Sequence, residues 1–289
     1  MRIPLTFVLL CLIWGSTWSV IAIGLKGIPP FTGVAIRFAI AAAILFLLAR
    51  IRGVRFGRGR HEVGLWWINA LLAFAGSYGI VYWVEQYVPS GLTAILFATY
   101  PLFVALLSHF VLPGERLQWV STFGTVVGFA GVAVIFSSDF SELGGPQVAV
   151  AALVMMISPF ISAISSVAVK KYGSGVHPFS LTSVPMAMTA GIMGALALGY
   201  EREREIVFDS VSVSALLYLA IVGSAVSFSL YYWLLARIPA TKAALIAYVV
   251  PVIAVIVGMV FLDEPVTPQS VIGSLLVVGG VMLTVKQRR

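Results

Sequence analysis

The chain has 289 residues, of which 60% are hydrophobic and only 10% are charged, and its mean hydropathy is +1.04. A soluble domain of this size carries roughly 25% charged residues, so the composition excludes a soluble globular protein and indicates a polytopic membrane protein. The single cysteine, Cys11, excludes an intrachain disulfide framework.

Ten apolar segments follow one another along the chain, each long enough to cross a hydrocarbon core of about 30 Å as a helix. They span residues 4–24, 31–49, 64–86, 90–112, 118–136, 147–169, 178–199, 212–235, 240–262 and 268–285. The chain starts like a signal peptide, but Trp14 and Trp18 interrupt the apolar run and no small-residue cleavage site stands out. We therefore expect a retained first span. The connections leave no room for a soluble domain, so the sequence predicts an all-α integral membrane protein.

The distribution of Lys and Arg predicts the orientation of these spans. With the N-terminus in the cytoplasm, 14 of the 18 basic residues lie on the cytoplasmic side, where such residues collect. The opposite side holds Lys26, Arg202 and Arg204, and Arg37 lies within a span. We therefore predict that both termini lie inside and that the protein resides in the cell inner membrane. The formal net charge of +7 reflects this sidedness, so no nucleic-acid partner is expected.

One stretch of sequence occurs twice. Residues 82–101 are Y-W-V-E-Q-Y-V-P-S-G-L-T-A-I-L-F-A-T-Y-P, and 150 residues later the chain contains Y-W-L-L-A-R-I-P-A-T-K-A-A-L-I-A-Y-V-V-P. The matched pairs include Tyr82 and Tyr232, Trp83 and Trp233, Pro89 and Pro239, Ala94 and Ala244, and Pro101 and Pro251. One residue out of step, the match continues to Glu115 and Glu264. The sequence therefore predicts a duplication with halves 1–140 and 141–289.

An odd number of spans in each half inverts the second half. Five spans per half place Trp83 at the outer end of the third span and Trp233 at the inner end of the eighth. Inverted-topology repeats recur in secondary transporters, where the substrate site lies near the midplane between the repeats. The sequence therefore predicts two inverted five-helix repeats around a central cavity.

Two matched prolines lie near the middle of their spans. Pro101 and Pro251 lack an amide hydrogen and crowd the carbonyl groups of Phe97 and Ala247. Because a free carbonyl is costly in lipid, these kinks are expected to face protein or a water-filled cavity. We interpret both prolines as hinges for alternating access; a static kink satisfied by neighbouring side chains is the alternative.

Aromatic residues at midplane depth are the main candidates for substrate binding. Trp14 and Trp18, and likewise Tyr78 and Tyr82, are four residues apart and share a helix face. Lipid-facing Trp and Tyr normally collect at the membrane interfaces, so deep aromatic residues favour a cavity wall, with hydrogen bonding between helices as the alternative. The predicted wall comprises Trp14, Trp18, Tyr78, Tyr82, Phe97, Tyr100, Phe160 and Tyr248.

Small and hydroxylated residues are expected mainly to pack helices together. Among the serines of the sixth and eighth spans, Ser162 and Ser227 are retained as candidate substrate contacts. Glycines at positions 124, 128, 131, 273 and 280 favour close helix packing, and a homodimer seam is an alternative use for them.

Two ionisable residues lie within or at the end of a span, where each is a functional hypothesis by default. Arg37 and Glu85 are expected at similar depth and could form an ion pair. Alternatively, Glu85 is a protonatable group at the outer mouth of the cavity. No acidic residue occupies the midplane, and no pattern predicts a metal or another cofactor.

Several of these motifs together resemble the drug/metabolite transporter superfamily, in particular its ten-span EamA-type permeases. The matching motifs are L-I-W-G-S-T-W at 12–18, P-P at 29–30 followed by Arg37, E-Q-Y-V-P-S-G at 85–91, P-L-F at 101–103 and D-E-P at 263–265. The resemblance covers essentially the whole chain. It implies two inverted five-helix repeats, with spans one, three, four, six, eight and nine around the cavity, and export of small metabolites such as amino acids or toxic cations.

The chain departs from many such relatives at two places near the expected cavity. Ser16 and Thr17 stand where an asparagine often follows the Trp-Gly pair. Pro185 in the second half corresponds to Arg37 in the first. The substrate is therefore not predicted beyond a small organic metabolite, such as an amino acid or an amphipathic aromatic compound.

Two other classes of function were weighed. An intramembrane enzyme requires a nucleophile, a metal cluster or an acid pair at depth, and the sequence contains only three scattered histidines and no H-E-x-x-H motif. A structural or signalling membrane protein needs no cavity. Cysteines placed at Tyr78, Tyr100 and Tyr248 are therefore expected to react with water-soluble reagents in a transporter and to be inert in a protein without a cavity.

Overall fold

The computed structural model describes residues 2–57, 59–88, 90–116, 118–135, 146–261 and 268–286, and all regular structure within these ranges is helical. In the first half, the α-helices are α1 (Ile3–Gly24), α2 (Pro30–Ile51), α3 (Arg60–Ile68), α4 (Ser77–Val84), α5 (Ser90–Phe97), α6 (Tyr100–Val111) and α7 (Trp119–Ile135). In the second half, they are α8 (Pro146–Met155), α9 (Ile157–Tyr172), α10 (Pro178–Tyr200), α11 (Ser210–Ala220), α12 (Ser227–Leu235), α13 (Ala240–Ala244), α14 (Ile246–Phe261) and α15 (Pro268–Lys286). Two π-helical segments complete the list, π1 (Asn69–Gly76) between α3 and α4, and π2 (Ile221–Val226) between α11 and α12.

The prediction of a multi-pass membrane protein is confirmed. Six continuous helices in the described part of the chain are long and apolar enough to cross a membrane. They are Ile3–Gly24, Pro30–Ile51, Arg60–Val84, Val150–Tyr172, Pro178–Tyr200 and Ser210–Leu235. Four shorter apolar helices accompany them, and helical residues occupy each of the ten predicted segments.

Apolar side chains cover much of the outer surface, and polar side chains are enclosed. Phe110 and Leu198 are each 76% exposed, whereas Arg37 and Asn69 are fully buried. This distribution is the reverse of that in a soluble protein and suits contact with lipid.

The helices break at prolines, but not at both of the prolines predicted as hinges. The helix stops at Ala98 and Thr99, just before Pro101, and resumes as α6. Pro251 instead lies inside α14, and the nearby break falls earlier, at Leu245. A third break separates α8 from α9 at Met156, because Pro159 cannot donate to the carbonyl group four residues before it. Pro159 was not among the prolines predicted to bend a helix.

Glycines allow α7 and α15 to approach closely. A Cβ atom on Gly131 would lie 2.6 Å from the carbonyl oxygen of Gly273, and one on Gly280 would overlap the backbone of Gly124 and Gly128. The structure therefore shows these glycines in close helix packing, which was the first role predicted for them. Their contact is within one chain, and the homodimer seam stays a prediction. Glu264 and the D-E-P motif lie outside the described residues.

Candidate functional site

A cavity lies between helices of both halves. Its empty volume is about 890 Å³, including the part open to solvent. The lining residues come from α1, π1, α4, α5, α6, α9, α12, α13 and α14. No Asp, Glu, Lys, Arg or His is among the described residues that line it. The wall is therefore aromatic, aliphatic and hydroxylated rather than charged.

Six of the ten predicted substrate-binding residues line this cavity. They are Trp14, Trp18, Tyr78, Phe97, Tyr100 and Ser162. They come from α1, α4, α5, α6 and α9, so the structure brings together side chains that are far apart in the sequence. Three of these rings form a continuous aromatic surface that runs from α1 through α5 to α6. The ring centroids of Trp18 and Phe97 are 5.6 Å apart, and Phe97 stacks on Tyr100 at 5.7 Å.

The other four predicted residues lie outside the cavity lining because of the direction in which their helices face. Tyr248 is fully buried against α7, and its hydroxyl donates to the carbonyl oxygen of Thr125 at 2.9 Å. Phe160 is 40% exposed on the far side of α9, two residues away from the lining Ser162. Ser227 donates to the carbonyl oxygen of Gly223 in its own helix. Since successive helical residues are about 100° apart, a difference of one or two positions is enough to turn a side chain away.

Tyr82, the fourth of these residues, is directed toward Arg37. Its hydroxyl accepts a hydrogen bond from Nη1 at 3.1 Å. The other two guanidinium bonds go to Ser224 Oγ from Nε at 2.7 Å and to the carbonyl oxygen of Gly223 from Nη2 at 3.0 Å. The guanidinium also lies 4.8 Å from the ring centroid of Tyr78, a cation–π distance. The positive charge is thus held behind the Tyr78 ring, which separates it from the cavity.

Glu85 is not among the hydrogen-bond partners of Arg37. Both of its carboxylate oxygens are buried and have no hydrogen-bond partner within the described residues. The donors of Arg37 are already directed to π2 and to Tyr82, so the two side chains do not form the direct pair considered above.

Three aromatic residues of α12 were missed by the sequence analysis. Phe228, Tyr231 and Tyr232 all line the cavity, at the spacing of one helix face. Phe228 corresponds to Tyr78 in the duplicated sequence, so the repeat carried a signal that the aromatic wall continues into the second half. The ring centroids of Trp14 lie 5.4 Å from Phe228 and 5.3 Å from Tyr231, which closes the wall between α1 and α12.

Hydroxyl groups add polarity to this wall at two points. Tyr100 donates to Ser166 Oγ at 2.7 Å, and the hydroxyl oxygens of Tyr100 and Tyr231 are also 2.7 Å apart. Tyr231 contacts Ser166 at 3.1 Å, so three helices share one hydroxyl triangle. A second cluster joins Ser162 to Ser77 at 2.8 Å. These groups can exchange partners with a polar ligand without leaving a charge unpaired.

The whole chain resembles known transporters in sequence. The EamA-like transporter family matches residues 1–137 and again residues 149–286. The uncharacterized transporter YoaV of Bacillus subtilis is 27% identical over 98% of this chain and 96% of its own length. The uncharacterized inner membrane transporter YedA of Escherichia coli K12 is 32% identical over 86% of this chain and 79% of its own length. A probable terminal-alkyne amino-acid exporter of Streptantibioticus cattleyicolor is 28% identical over 96% of this chain and 91% of its own length.

A solved crystal structure has the same fold, with a TM-score of 0.83 and 22% identity over 97% of this chain and 95% of the other. Together with the apolar spans, these likenesses confirm the predicted family and the predicted inner-membrane location. The chain belongs to the EamA-like transporter family, and it is a multi-pass membrane transporter rather than an enzyme.

Proposed function

We propose that this transporter exports small organic metabolites, such as amino acids or amphipathic aromatic compounds, by alternating access through the central cavity. The observation that carries the proposal is the cavity wall itself. Trp14, Tyr78, Tyr100, Phe228 and Tyr231 surround it from both halves, and no Asp, Glu, Lys, Arg or His lines it within the described residues.

The chemistry of the wall favours one class of substrate. Aromatic rings bind apolar or planar groups through their faces, and hydroxyl groups bind polar substituents. Inorganic ions and polyanions are commonly bound by charged side chains, and the described residues of this wall include none. The relative named as an amino-acid exporter supports amino acids as a first panel and export as the direction.

The proposed topology has ten membrane crossings, both termini in the cytoplasm, and repeats 1–140 and 141–289 in inverted orientation. Helical residues in all ten apolar segments support the crossing count. The family match in two blocks and the presence of π1 and π2 at corresponding places support the duplication. The bias of basic residues supports the orientation.

Alternating access requires a helix that can bend near the cavity. Pro101 follows a break between α5 and α6, and Pro251 follows a break between α13 and α14 by six residues. We propose that both segments bend during transport, and that the bend lies at residues 98–99 in one half and near Leu245 in the other. The prolines weaken the adjoining hydrogen bonds rather than marking both bends themselves.

Glu85 is the proposed site of coupling to a proton, should transport respond to a pH gradient. An ionised carboxylate that is buried without partners is unfavourable, so the neutral carboxylic acid is the form that suits this position. Glu85→Gln imitates that form and is expected to remove a gradient-dependent component while leaving counterflow at equal pH.

The direct test is counterflow in proteoliposomes with a labelled amino-acid panel, with and without a pH gradient. Wild-type protein is expected to exchange aromatic or amphipathic members, and Trp14→Ala is expected to slow that exchange at least tenfold. Phe160→Ala is the matched control, because it removes an aromatic ring from the outside of α9. The absence of exchange for the whole panel and for planar organic cations would contradict the proposed function. So would unchanged exchange by Trp14→Ala.

A further inference from the structure

The turn between α12 and α13 connects two walls of the cavity. Tyr231 and Tyr232 lie on the helix before it, and Ala243 and Ala244 lie on the helix after it. A displacement of this turn would therefore move lining residues on both sides at once. The side chains that hold it come from α9 and from the loop after α6.

Glu115 holds the turn from one side. Its Oε1 accepts a hydrogen bond from the backbone N–H of Ala240 at 3.0 Å, and its Oε2 accepts from the N–H and hydroxyl groups of Thr241 at 3.2 and 3.3 Å. Gly114, with a φ of 83°, makes the turn after α6 that presents this carboxylate. The N–H groups at the start of a helix have no partner within the helix, so Glu115 satisfies donors that α13 cannot satisfy itself.

Lys170 holds the same turn from the other side. Its Nζ donates to the carbonyl oxygens of Leu235 and Ile238, at 2.9 Å each. Leu235 is the last residue of α12, where carbonyl groups lack helical partners and a positive charge is favourable. The negative group thus binds the amide groups and the positive group binds the carbonyl groups of one short turn.

A second carboxylate in the molecule has the same chemistry but a different place. Glu201 accepts from the N–H of Phe31 at 2.8 Å and from the N–H and hydroxyl groups of Thr32, both at 2.8 Å. It is only 5% exposed, its bonds are shorter than those of Glu115, and α2 contributes no residue to the cavity lining. Glu115 is less deeply buried, so its bonds can be exchanged for bonds to water at lower cost.

We propose that Glu115 and Lys170 form a two-charge clamp on the α12–α13 turn, and that this clamp keeps the cavity closed at that end until it opens during transport. Glu201 is a permanent cap of α2 with no part in closure. The clamp rests on the proposed alternating access, and it assigns Glu115 and Lys170 as positioning residues for α12 and α13 rather than as substrate ligands.

The test measures access to the cavity and needs no substrate. In a Cys11→Ser background, Ala243→Cys is labelled with a membrane-impermeant maleimide applied from the side on which Glu115 lies. Glu115→Gln retains one acceptor oxygen but loses the charge, and it is expected to raise the labelling rate about tenfold, since a charged hydrogen bond is lost. Lys170→Met is expected to raise it by a similar factor.

Glu201→Gln is the matched control. It removes the same charge from the same pattern of bonds, so it is expected to lower thermal stability without changing the labelling rate. Equal rates in Glu115→Gln and wild type would overturn the clamp. Equal increases in Glu115→Gln and Glu201→Gln would also overturn it, because the effect would then be general loosening. If Glu115→Gln does not fold, the labelling rates of Glu115→Asp and Lys170→Met are compared with those of wild type and Glu201→Gln instead.

The labelling result and the counterflow result separate the two proposals. Selective labelling in Glu115→Gln without exchange of any substrate would overturn the proposed function and leave the clamp. Normal counterflow together with unchanged labelling would overturn the clamp alone.

Discussion

The two π-helical segments have similar backbones but are stabilised by different chemistry. In π1, neutral groups supply the bonds: Asn69 donates to the carbonyl oxygen of Leu181 at 3.1 Å, and Thr189 donates to that of Ala70 at 3.1 Å. In π2, the carbonyl oxygen of Gly223 accepts from the charged guanidinium of Arg37. Each segment is therefore supported by a helix of the opposite half.

This difference indicates that the irregular backbone is the shared requirement and that its support is interchangeable. A π-helix leaves helical carbonyl groups needing other donors, and an unpaired carbonyl group inside a membrane protein costs several kcal/mol. In the first half the Thr189 hydroxyl group donates to the carbonyl group of Ala70 in π1. In the second half the carbonyl group of Gly223 in π2 accepts from the Arg37 cation as well as from the Ser227 hydroxyl group. The charged solution is the more demanding one, because the guanidinium must itself be kept fully bonded.

The largest effect is expected from Arg37→Leu. It leaves Ser224 and Tyr82 without the donor that Arg37 supplies, and it leaves the carbonyl group of Gly223 with only the Ser227 hydroxyl group. We therefore expect a loss of about 3 kcal/mol in stability and slow counterflow. Thermal unfolding in detergent measures the first and proteoliposomes the second. Arg237→Leu removes an exposed guanidinium that lies 4.1 Å from the Trp233 ring and is the control. Equal stability of Arg37→Leu and wild type would contradict the need for a charged brace.

Asn69→Ala tests the neutral support of π1. The Asn69 side chain also accepts from Ser165 Oγ at 2.5 Å and is fully buried, so its loss unpairs two groups. We expect a loss of about 2 kcal/mol in stability, smaller than for Arg37→Leu. If Asn69→Ala proved the more damaging of the two by thermal unfolding, the ranking of charged over neutral support would be wrong.

Tyr231→Val makes the second half resemble the first, because Val81 is the matching residue. The change removes the hydroxyl contacts with Tyr100 and Ser166. A double-mutant cycle with Tyr100→Phe is expected to give a coupling free energy of about 1 kcal/mol. The KM of Tyr231→Val for counterflow is expected to be several times higher than that of wild type. Additive effects of the two substitutions would mean that the hydroxyl triangle is not a unit.

The smallest effect is expected from Thr189→Val. One neutral hydrogen bond between membrane helices contributes about 0.6 kcal/mol on average, so the melting temperature should fall only slightly. A loss as large as that of Arg37→Leu would show that the carbonyl group of Ala70 depends on this single donor.

The sequence was sufficient to predict a multi-pass helical membrane protein, its class and, through the family resemblance, the helices around the cavity. Hydropathy and the spacing of proline and glycine depend on local composition, which requires no knowledge of neighbours. Six of the ten proposed cavity residues line the wall, because deep Trp and Tyr residues on α1, α4 and α6 have few other environments available.

The direction of individual side chains could not be predicted in the same way. Ala247 lines the cavity and Tyr248 does not, although both lie at the same depth. Tyr78 and Tyr82 share a face, yet Tyr82 is turned toward Arg37. The π-segments add to this difficulty, because a wider turn changes the helical register of every residue that follows. Such rotations depend on packing between distant segments.

The glycine contact between α7 and α15 has a consequence for the synthesis of the protein. Gly131 meets Gly273 and the residues around it, but the ribosome makes α15 about 150 residues later. At usual elongation rates this interval is roughly 8–30 s, during which the growing chain contains α7 but not its partner α15. A premature stop before residue 268 would leave that face permanently without its partner. The packing of α7 is thus complete only after α15, the last helix in the described part of the chain, has been translated.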